Sequence, residues 1–223
     1  MQHFIMTRFN IPMKIRDTIN IPDREWCLRR LHLMDQFTAK SIELQRTSTY
    51  PLLWVVFVYK DTDDDILAML ENVFEKHSLN GVLIAGSGSS DRTKALTGDG
   101  EVLSTRIDAD DIFWKDAVFD IQRASQGLSS DKAIVHESGY KYVLKDNKLY
   151  STVMPNNAFV SLYSTQGKNI YQLGNHSKIV HNHPTYFIKG RPGWSQILHG
   201  ENICNSIRKN DVLDDAKKIG WIL

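Results

Sequence analysis

The sequence contains little cysteine, no long apolar run and no excess of charge of one sign. Two cysteines, Cys27 and Cys204, exclude a disulfide framework or a cysteine-based zinc finger and suit a reducing compartment. No apolar run is long enough to span a bilayer, and the first ten residues lack the features of a signal peptide. The 27 basic and 26 acidic residues nearly balance, so no overall charge attracts nucleic acid or an acidic membrane. We therefore expect a soluble, cytoplasmic protein that does not bind nucleic acid.

The first half of the chain alternates between strand-like and helix-like patterns. Residues 4–6, 52–59 and 82–85 are apolar runs of strand length, and the stretches between them have helical periodicity. This order predicts an α/β fold with a mainly parallel central sheet and flanking helices. With 42% hydrophobic residues, 223 residues suit a single domain. We expect residues 1–127 to form a nucleotide-binding half and residues 128–223 an acceptor-side half.

The second half is richer in strand patterns. Residues 140–144 and 149–153 flank a polar turn and predict a β-hairpin. Further short strands are predicted at 158–163, 178–181 and 185–188, and a closing helix at 211–219.

The most informative segment is Asp108-Ala109-Asp110-Asp111, which follows an apolar strand pattern. The sequence contains three Asp-x-Asp patterns, so the spacing alone does not select this one. Its position does, because carboxylates at the carboxyl end of a strand are where α/β sheets bind ligands. In an extended segment, Asp108 and Asp110 point to the same side and suit a hard divalent cation. The alternative is that Asp110 or Asp111 caps a helix that follows immediately.

Other polar groups give weaker signals. Asp61 follows the strand at 52–59 and suits contact with a base or ribose, whereas the acidic residues after it are typical of a helix start. The Gly/Ser-rich stretch 86–100 lacks a phosphate-loop ending and is interpreted as a mobile surface loop. His176, His181 and His183 raise the question of a zinc site, and His181 and His183 would share one face of a strand, but ordinary polar positions are favoured. In the segment 194–202, His199 is a candidate metal ligand and Glu201 a candidate base.

The sequence resembles the putative rhamnosyltransferase family, which has bacterial and large-DNA-virus members. The matching pieces are Thr7-Arg8-Phe9-Asn10, the strand 53–59, the block 105–111 and the segment 194–202. The resemblance implies a GT-A-like glycosyltransferase fold and transfer of a sugar from a nucleotide-diphospho-sugar, a UDP-sugar in our prediction, to a glycan or glycoprotein. A viral member would act in the host cytoplasm.

The resemblance also implies roles for individual residues. Thr7, Arg8 and Asn10 would lie near the nucleoside, and Asp108 to Asp111 at the metal and ribose. We expect Asp110, with Asp108 and His199, to hold Mn²⁺ or Mg²⁺, and Arg106 or Arg8 to add charge at the phosphates. For inverting transfer, the candidate bases are Glu201, Asp131 and Glu137, in that order.

Two other functions are compatible with parts of the sequence. An S-adenosylmethionine-dependent methyltransferase would use residues 82–88 as its strand and glycine loop, but the three carboxylates after Ile107 would then have no role. A non-catalytic carbohydrate-binding module would use the five tryptophans for stacking on sugars, although most of them lie in core-like patterns.

Overall fold

The computed structural model describes residues 1–15, 18–45, 50–94, 96, 100–200, 202 and 206–223. The strands within these residues are β1 His3–Arg8, β2 Met13–Ile15, β3 Thr18–Asn20, β4 Leu52–Tyr59, β5 Gly81–Gly86, β6 Val102–Arg106, β7 Ile112–Phe113, β8 Lys132–Val143, β9 Lys148–Val153, β10 Val160–Ser164, β11 Thr185–Leu198 and β12 Val212–Asp214. The α-helices are α1 Arg24–Leu33, α2 Lys40–Glu43, α3 Asp64–Lys76, α4 Ser89–Lys94, α5 Ala117–Ser125 and α6 His176–Asn182. A π-helical segment, Met34–Ala39, joins α1 to α2. None of the described helices is both long enough and apolar enough to cross a membrane.

One large sheet runs through both halves of the chain, in the order β12-β9-β8-β10-β6-β1-β4-β5. Its centre, β5-β4-β1-β6, is parallel. β10 is antiparallel to both β6 and β8, and β11 lies parallel to β8 along its other edge. The predicted α/β class, central sheet and strand-rich second half are confirmed. Crossover connections join the parallel strands of the first half, and β8 and β11 add a parallel pair in the second half.

The central strand β4 is buried on both faces, as its continuous apolar sequence predicts. Trp54, Val56 and Val58 pack into the core that contains the apolar side of α3. Val55 and Phe57 pack into a second core on the opposite face, with residues from β10 and α6. Two hydrophobic layers therefore hold β1, β4 and β6 in place, and the ends of these strands are fixed in position.

The chain order creates a switch point between β1 and β6. From β1 the chain moves to β4 and then to β5 on one side, and β6 returns to the other side of β1. In open α/β sheets, ligands bind beyond the carboxyl ends of the strands at such a point. The carboxyl ends of β1 and β6 are therefore the place where the fold favours a ligand.

The predicted hairpin is confirmed, but four other predictions are wrong. Residues 178–181 belong to α6, whose N-cap Asn175 accepts a hydrogen bond from the Ser177 N–H, so His181 and His183 do not share a strand face. Residues 211–219 form β12 and a 3-10 turn, since this segment pairs with β9 instead of continuing as a helix.

The other two corrections concern segments near the switch point. The stretch 86–100 contains α4, because the Asp91 carboxylate accepts hydrogen bonds from the N–H groups of Ser87 and Gly88 and folds the glycine loop into a helix. Residues 95 and 97–99 lie outside the described residues. No helix follows Asp111 directly either, since β7 comes next and α5 begins only at Ala117.

A buried histidine, His3, links the central strands. Its Nε2 lies 2.7 Å from the Thr105 hydroxyl, which lies 2.7 Å from that of Ser161. The Gln122 amide approaches Nδ1 at 3.4 Å, so we assign the ring proton to Nε2. Burial lowers the pKa of His3 from 6.5 to about 3, and His3 is therefore neutral in the folded protein at neutral pH.

We expect His3 to make folding sensitive to acid. The unfolded chain binds this proton near pH 6.5 and the folded chain only near pH 3, so stability is complete above pH 6.5 and falls as the pH decreases. Between pH 7 and pH 4.5 the loss amounts to about 2–3 kcal/mol. Urea unfolding at both pH values should show this difference reduced by that amount in His3→Gln. An unchanged difference would contradict the assignment, whatever the variant's absolute stability.

Candidate active site

An ion-pair cluster lies at the carboxyl ends of β1 and β6. Arg8 is the last residue of β1, Arg106 is the last of β6, and Asp108 follows two residues later. Oδ1 of Asp108 accepts hydrogen bonds from Nη2 of Arg8 at 3.2 Å and from Nη2 of Arg106 at 3.1 Å. The Nη2 of Arg106 also lies 3.1 Å from Oδ2. The structure thus brings together three residues that the sequence assigns to the donor site.

The electrostatics of this cluster favour an ionised Asp108. Burial by itself would raise the pKa of the carboxyl, but the charges of Arg106 and Arg8 outweigh it and hold the pKa well below its usual range. Asp108 is therefore a carboxylate at neutral pH, shared by two guanidinium groups.

A third arginine, Arg92 on α4, completes the cluster. Its guanidinium carbon lies 5.3 Å from the centre of the Tyr171 ring. Burial, and next the positive charge of Arg8, lower the pKa of Arg92. The hydroxyl of Tyr171 in turn donates a 3.4 Å hydrogen bond to the carbonyl of Met6 in β1. Two guanidinium groups therefore pair with Asp108, a third lies close enough to interact with the charges of Arg8 and Asp108, and this end of the sheet is cationic.

Several N–H groups of these arginines have no hydrogen-bond partner among the described residues. They are Nε of Arg8, Nε of Arg106, and both Nε and Nη1 of Arg92, and all four atoms are buried. Buried donors without partners are unfavourable unless a ligand or water accepts from them. The cluster is thus suited to a ligand with several anionic oxygens.

His176, at the start of α6, lies on the other side of Arg106. Nη1 of Arg106 donates to Nδ1 of His176 at 3.0 Å. Burial, and next the charge of Arg106, lower the pKa of His176 to about 4, so the ring is neutral at physiological pH. A neutral ring that accepts from Arg106 fixes the orientation of this guanidinium and adds no further charge.

Asp110 lies in a second cluster. Its Oδ2 accepts a hydrogen bond from Nε2 of His199 at 2.9 Å and pairs with Nη1 of Arg30. The guanidinium of Arg30 also stacks on Trp26, 4.8 Å from the ring centre. The predicted proximity of Asp110 and His199, 89 residues apart in the chain, is present in the structure.

Asp111 is buried and does not cap a helix. Its Oδ1 accepts the N–H of Ile197 in β11 at 3.0 Å, and its carbonyl accepts the hydroxyl of Thr38 at 2.8 Å. Burial, and next the charges of Asp110 and Asp108, raise the pKa of its carboxyl well above the usual range. Asp111 therefore anchors the segment after β6 to β11 and to the π-helical segment.

The other predicted donor-site residues lie around this edge of the sheet. Thr7 is fully buried and its hydroxyl accepts from the Trp54 indole N–H at 2.9 Å. Asn10 bridges strand ends, donating to Thr62 at 2.9 Å and accepting the Tyr59 N–H at 2.8 Å. Asp61 is exposed and pairs with Lys60 at 2.8 Å. Thr7 and Asn10 thus hold the strands that carry the cluster.

Among the candidate bases that the structure describes, Asp131 lies away from the cluster. Asp131 accepts from Ser164 and Thr165, and Ser164 lies opposite Val102, the first residue of β6. Asp131 therefore lies at the amino end of β6, the opposite edge of the sheet from Asp108. Glu137 is half-buried within β8, with Lys189 Nζ at 4.0 Å. Glu201 lies outside the described residues.

The described residues do not fit a divalent ion as they are arranged. Asp108 is paired with Arg8 and Arg106, and Asp110 with Arg30 and His199. In the described part of the chain, no three His, Cys, Asp or Glu side chains are grouped so as to share an ion. A guanidinium 4–5 Å from a divalent ion would repel it by roughly 7 kcal/mol at an effective dielectric constant of about 20. The Mn²⁺ or Mg²⁺ site therefore stays a prediction.

A comparison with family models gives the family of the chain. The model described as "Putative rhamnosyl transferase" matches residues 16–211, which is most of the sequence. The chain belongs to this putative rhamnosyl transferase family. The matched range contains Arg92, Arg106, Asp108, Asp110 and His199, and Arg8 precedes it. Both clusters described above thus lie wholly or largely in the family's characteristic region.

Two solved structures are distantly similar to this family member. S. aureus TarS has a TM-score of 0.46 and 10% identity, covering 88% of this chain and 37% of TarS. A putative glucose-1-phosphate thymidylyltransferase from Bacillus anthracis has a TM-score of 0.36 and 11% identity. This match covers 86% of the present chain and 88% of the thymidylyltransferase chain. Both scores lie below 0.5, so neither likeness bears on function. The chain spans well under half the length of TarS, and no curated protein matches it.

Sequence reasoning missed three residues of the site in this family member and gave a fourth, His176, another interpretation. Arg92 lies in a stretch interpreted as a surface loop, Arg30 and Tyr171 lie in segments with no recognisable motif, and His176 is considered only with His181 and His183 for zinc. For Arg92 a signal exists, since it follows β5 at the same edge of the sheet as Arg8 and Arg106. The positions of Arg30, Tyr171 and His176 depend on tertiary packing that no local pattern encodes.

Proposed function

We propose that the protein is a glycosyltransferase that transfers a sugar from a nucleotide-diphospho-sugar to a hydroxyl group of a glycan or glycoprotein acceptor. The observation that carries the proposal is the cluster of Arg8, Arg92 and Arg106 around Asp108 at the switch point. A diphosphate offers several anionic oxygens, which match the buried N–H groups without partners. Membership of the putative rhamnosyl transferase family supports the same chemistry and suggests rhamnose as the sugar.

In the proposed mechanism, the arginine cluster stabilises the leaving group. The bond between the anomeric carbon and the diphosphate oxygen breaks, and negative charge increases on the departing nucleoside diphosphate. Guanidinium groups already oriented by Asp108 and His176 stabilise this charge without reorganisation. Preorganised positive charge therefore lowers the barrier more than mobile surface charge would.

The acceptor oxygen forms the new bond at the anomeric carbon. Its proton passes to a general base within hydrogen-bond reach, on the opposite face of the sugar if the reaction inverts configuration. Glu201 and Glu137 remain proposals for this base. Asp131 is disfavoured because it lies at the opposite edge of the sheet. Uridine as the nucleoside and inversion at the anomeric carbon likewise remain parts of this proposal.

The two other functions have less support. In a methyltransferase, the glycine loop after β5 would offer its N–H groups to the cofactor, but Asp91 already accepts from those of Ser87 and Gly88. In a sugar-binding module, exposed tryptophans would form the binding face, but Trp54 and Trp194 are fully buried.

Thermal unfolding with different ligands tests the proposal. We expect at least one nucleoside diphosphate from the set UDP, GDP, ADP and dTDP to raise the Tm, because a ligand at 100 times its Kd stabilises the fold by about 2.7 kcal/mol. S-Adenosylmethionine should leave the Tm unchanged. Stabilisation by S-adenosylmethionine alone would contradict the proposal.

A turnover assay with nucleotide-sugars is the second test of the proposal. Incubation with the matching nucleotide-sugars, followed by NMR of the released nucleoside diphosphate and of the anomeric proton, identifies the sugar and the stereochemical outcome. If glycan is bound but no nucleotide-sugar is consumed, a binding module is the better description.

A further inference from the structure

We infer that Arg8, Arg92 and Arg106 supply the positive charge that binds the donor diphosphate, and that donor binding needs no divalent cation. This inference rests on the proposed function and specifies how its donor site is built. It also assigns Arg92, in a helix that sequence reasoning interpreted as a loop, to direct contact with the donor.

The charges in the cluster support this inference. Three guanidinium groups and one carboxylate leave two net positive charges at the carboxyl ends of β1 and β6. The diphosphate of a nucleotide-sugar carries two negative charges, so protein and ligand neutralise each other. An additional divalent ion would restore an excess of positive charge in a site that is partly shielded from solvent.

The hydrogen bonds lead to the same conclusion. Both oxygens of Asp108 already accept from Arg8 or Arg106, and Oδ2 of Asp110 accepts from His199. Within the cluster, the buried side-chain groups without partners among the described residues are donors, the N–H groups of the three arginines. A metal ion needs ligands with free lone pairs, whereas a diphosphate needs donors. The site offers donors.

The position of Arg92 makes it the most informative residue to change. Arg8 and Arg106 are held by Asp108, whereas Arg92 has two buried N–H groups without a described partner and rests on the face of Tyr171. Replacing Arg92 with Gln removes the charge and breaks no ion pair with a described carboxylate. The variant should therefore fold. Arg92→Lys provides a second variant, which retains the positive charge but lacks the several N–H donors of the planar guanidinium group.

The experiment is isothermal titration of the nucleoside diphosphate that raises the Tm, with excess EDTA and separately with MnCl₂. For the unchanged protein we expect Kd values that agree within about threefold in the two conditions. Arg92→Gln should weaken binding about 10- to 100-fold in both, as expected for the loss of charged hydrogen bonds. The Kd of Arg92→Lys should lie between those of the unchanged protein and of Arg92→Gln. Arg191→Gln, which breaks an exposed pair with Asp120, is the matched control and should leave Kd unchanged.

Each outcome separates this inference from the proposed function. Binding that appears only with Mn²⁺ would overturn the inference and leave the proposed glycosyl transfer intact. No binding of any nucleoside diphosphate in either condition would overturn the proposed function itself. If folded Arg92→Gln and Arg92→Lys both bind as tightly as the unchanged protein, Arg92 has no part in the donor site.

Discussion

Replacing Asp110 with alanine should lower the free energy of unfolding by about 3–5 kcal/mol, the cost of breaking a buried ion pair by removing one partner. The Asp110 carboxylate is 8% exposed, and its partners Arg30 and His199 are 13% and 6% exposed. Without the carboxylate, the Arg30 guanidinium is left buried with no counter-ion that the structure describes. Asp110 also connects three separate segments, which are α1, the stretch after β6 and the end of β11. Its loss should therefore weaken the packing of these segments against one another.

Urea denaturation at neutral pH measures this effect. Asp110→Asn should recover part of the stability, because an amide oxygen still accepts a hydrogen bond. Asp214→Ala, which breaks an exposed pair with Lys218 on the surface, is the control and should change stability far less. A fully stable Asp110→Ala protein that loses only Mn²⁺ binding would show instead that Asp110 is a metal ligand, as the sequence predicts.

The first half of the fold could be predicted because its signals are local. The run from Leu52 to Tyr59 is apolar on both faces, and its short length and its valine and aromatic residues favour a strand between two hydrophobic layers. Alternation with helices then determines parallel pairing, and parallel pairing brings the carboxyl ends of β1 and β6 to one edge. The proximity of Arg8, Arg106 and Asp108 follows from this chain of reasoning.

The second half could not be predicted as well because its signals depend on distant partners. Residues 178–181 have a strand-like composition, but the Asn175 side chain caps a helix there. Residues 212–214 form a strand only because β9 offers an edge for pairing. Short segments of this kind take their structure from tertiary contacts, which override local propensity.

For the site, the sequence identified the carboxylates together with Arg8, Arg106 and His199, but not the ion pairs that the carboxylates make. Asp108 and Asp110 stand in a recognisable motif, and the chemistry of that motif suggests a metal ion. Each carboxylate instead forms an ion pair with an arginine from elsewhere in the chain. Asp108 pairs with Arg8, and Asp110 pairs with Arg30. Arg30 and Arg92 carry no motif of their own, so the full balance of charge at the site could be found only from the structure.

Replacing Trp194 with alanine should cost about 3–5 kcal/mol of stability, the range for removing a large buried aromatic side chain. Trp194 is fully buried, stacks on Phe159 with ring centres 5.1 Å apart, and lies over Gly139 so closely that a Cβ there would be 2.2 Å from its ring. Its indole N–H donates to the carbonyl of His136 at 3.1 Å. Trp194 thus holds β11 against β8 through packing and a hydrogen bond, and His199 follows immediately after β11.

Comparison with Trp194→Phe separates packing from hydrogen bonding. Phe retains most of the stacking and loses the indole N–H, so the loss should be only about 1–2 kcal/mol. Because β11 positions His199 beside Asp110, a protein with Trp194→Ala that still folds should also show weaker protection of the Ile197 amide, which donates to Asp111, in hydrogen exchange. Equal stability losses for the two variants would mean that the hydrogen bond, and not the packed ring, holds β11. Unchanged protection of Ile197 would show that β11 is held independently of Trp194, and the carboxylates after β6 would then be positioned by β7 and the π-helical segment alone.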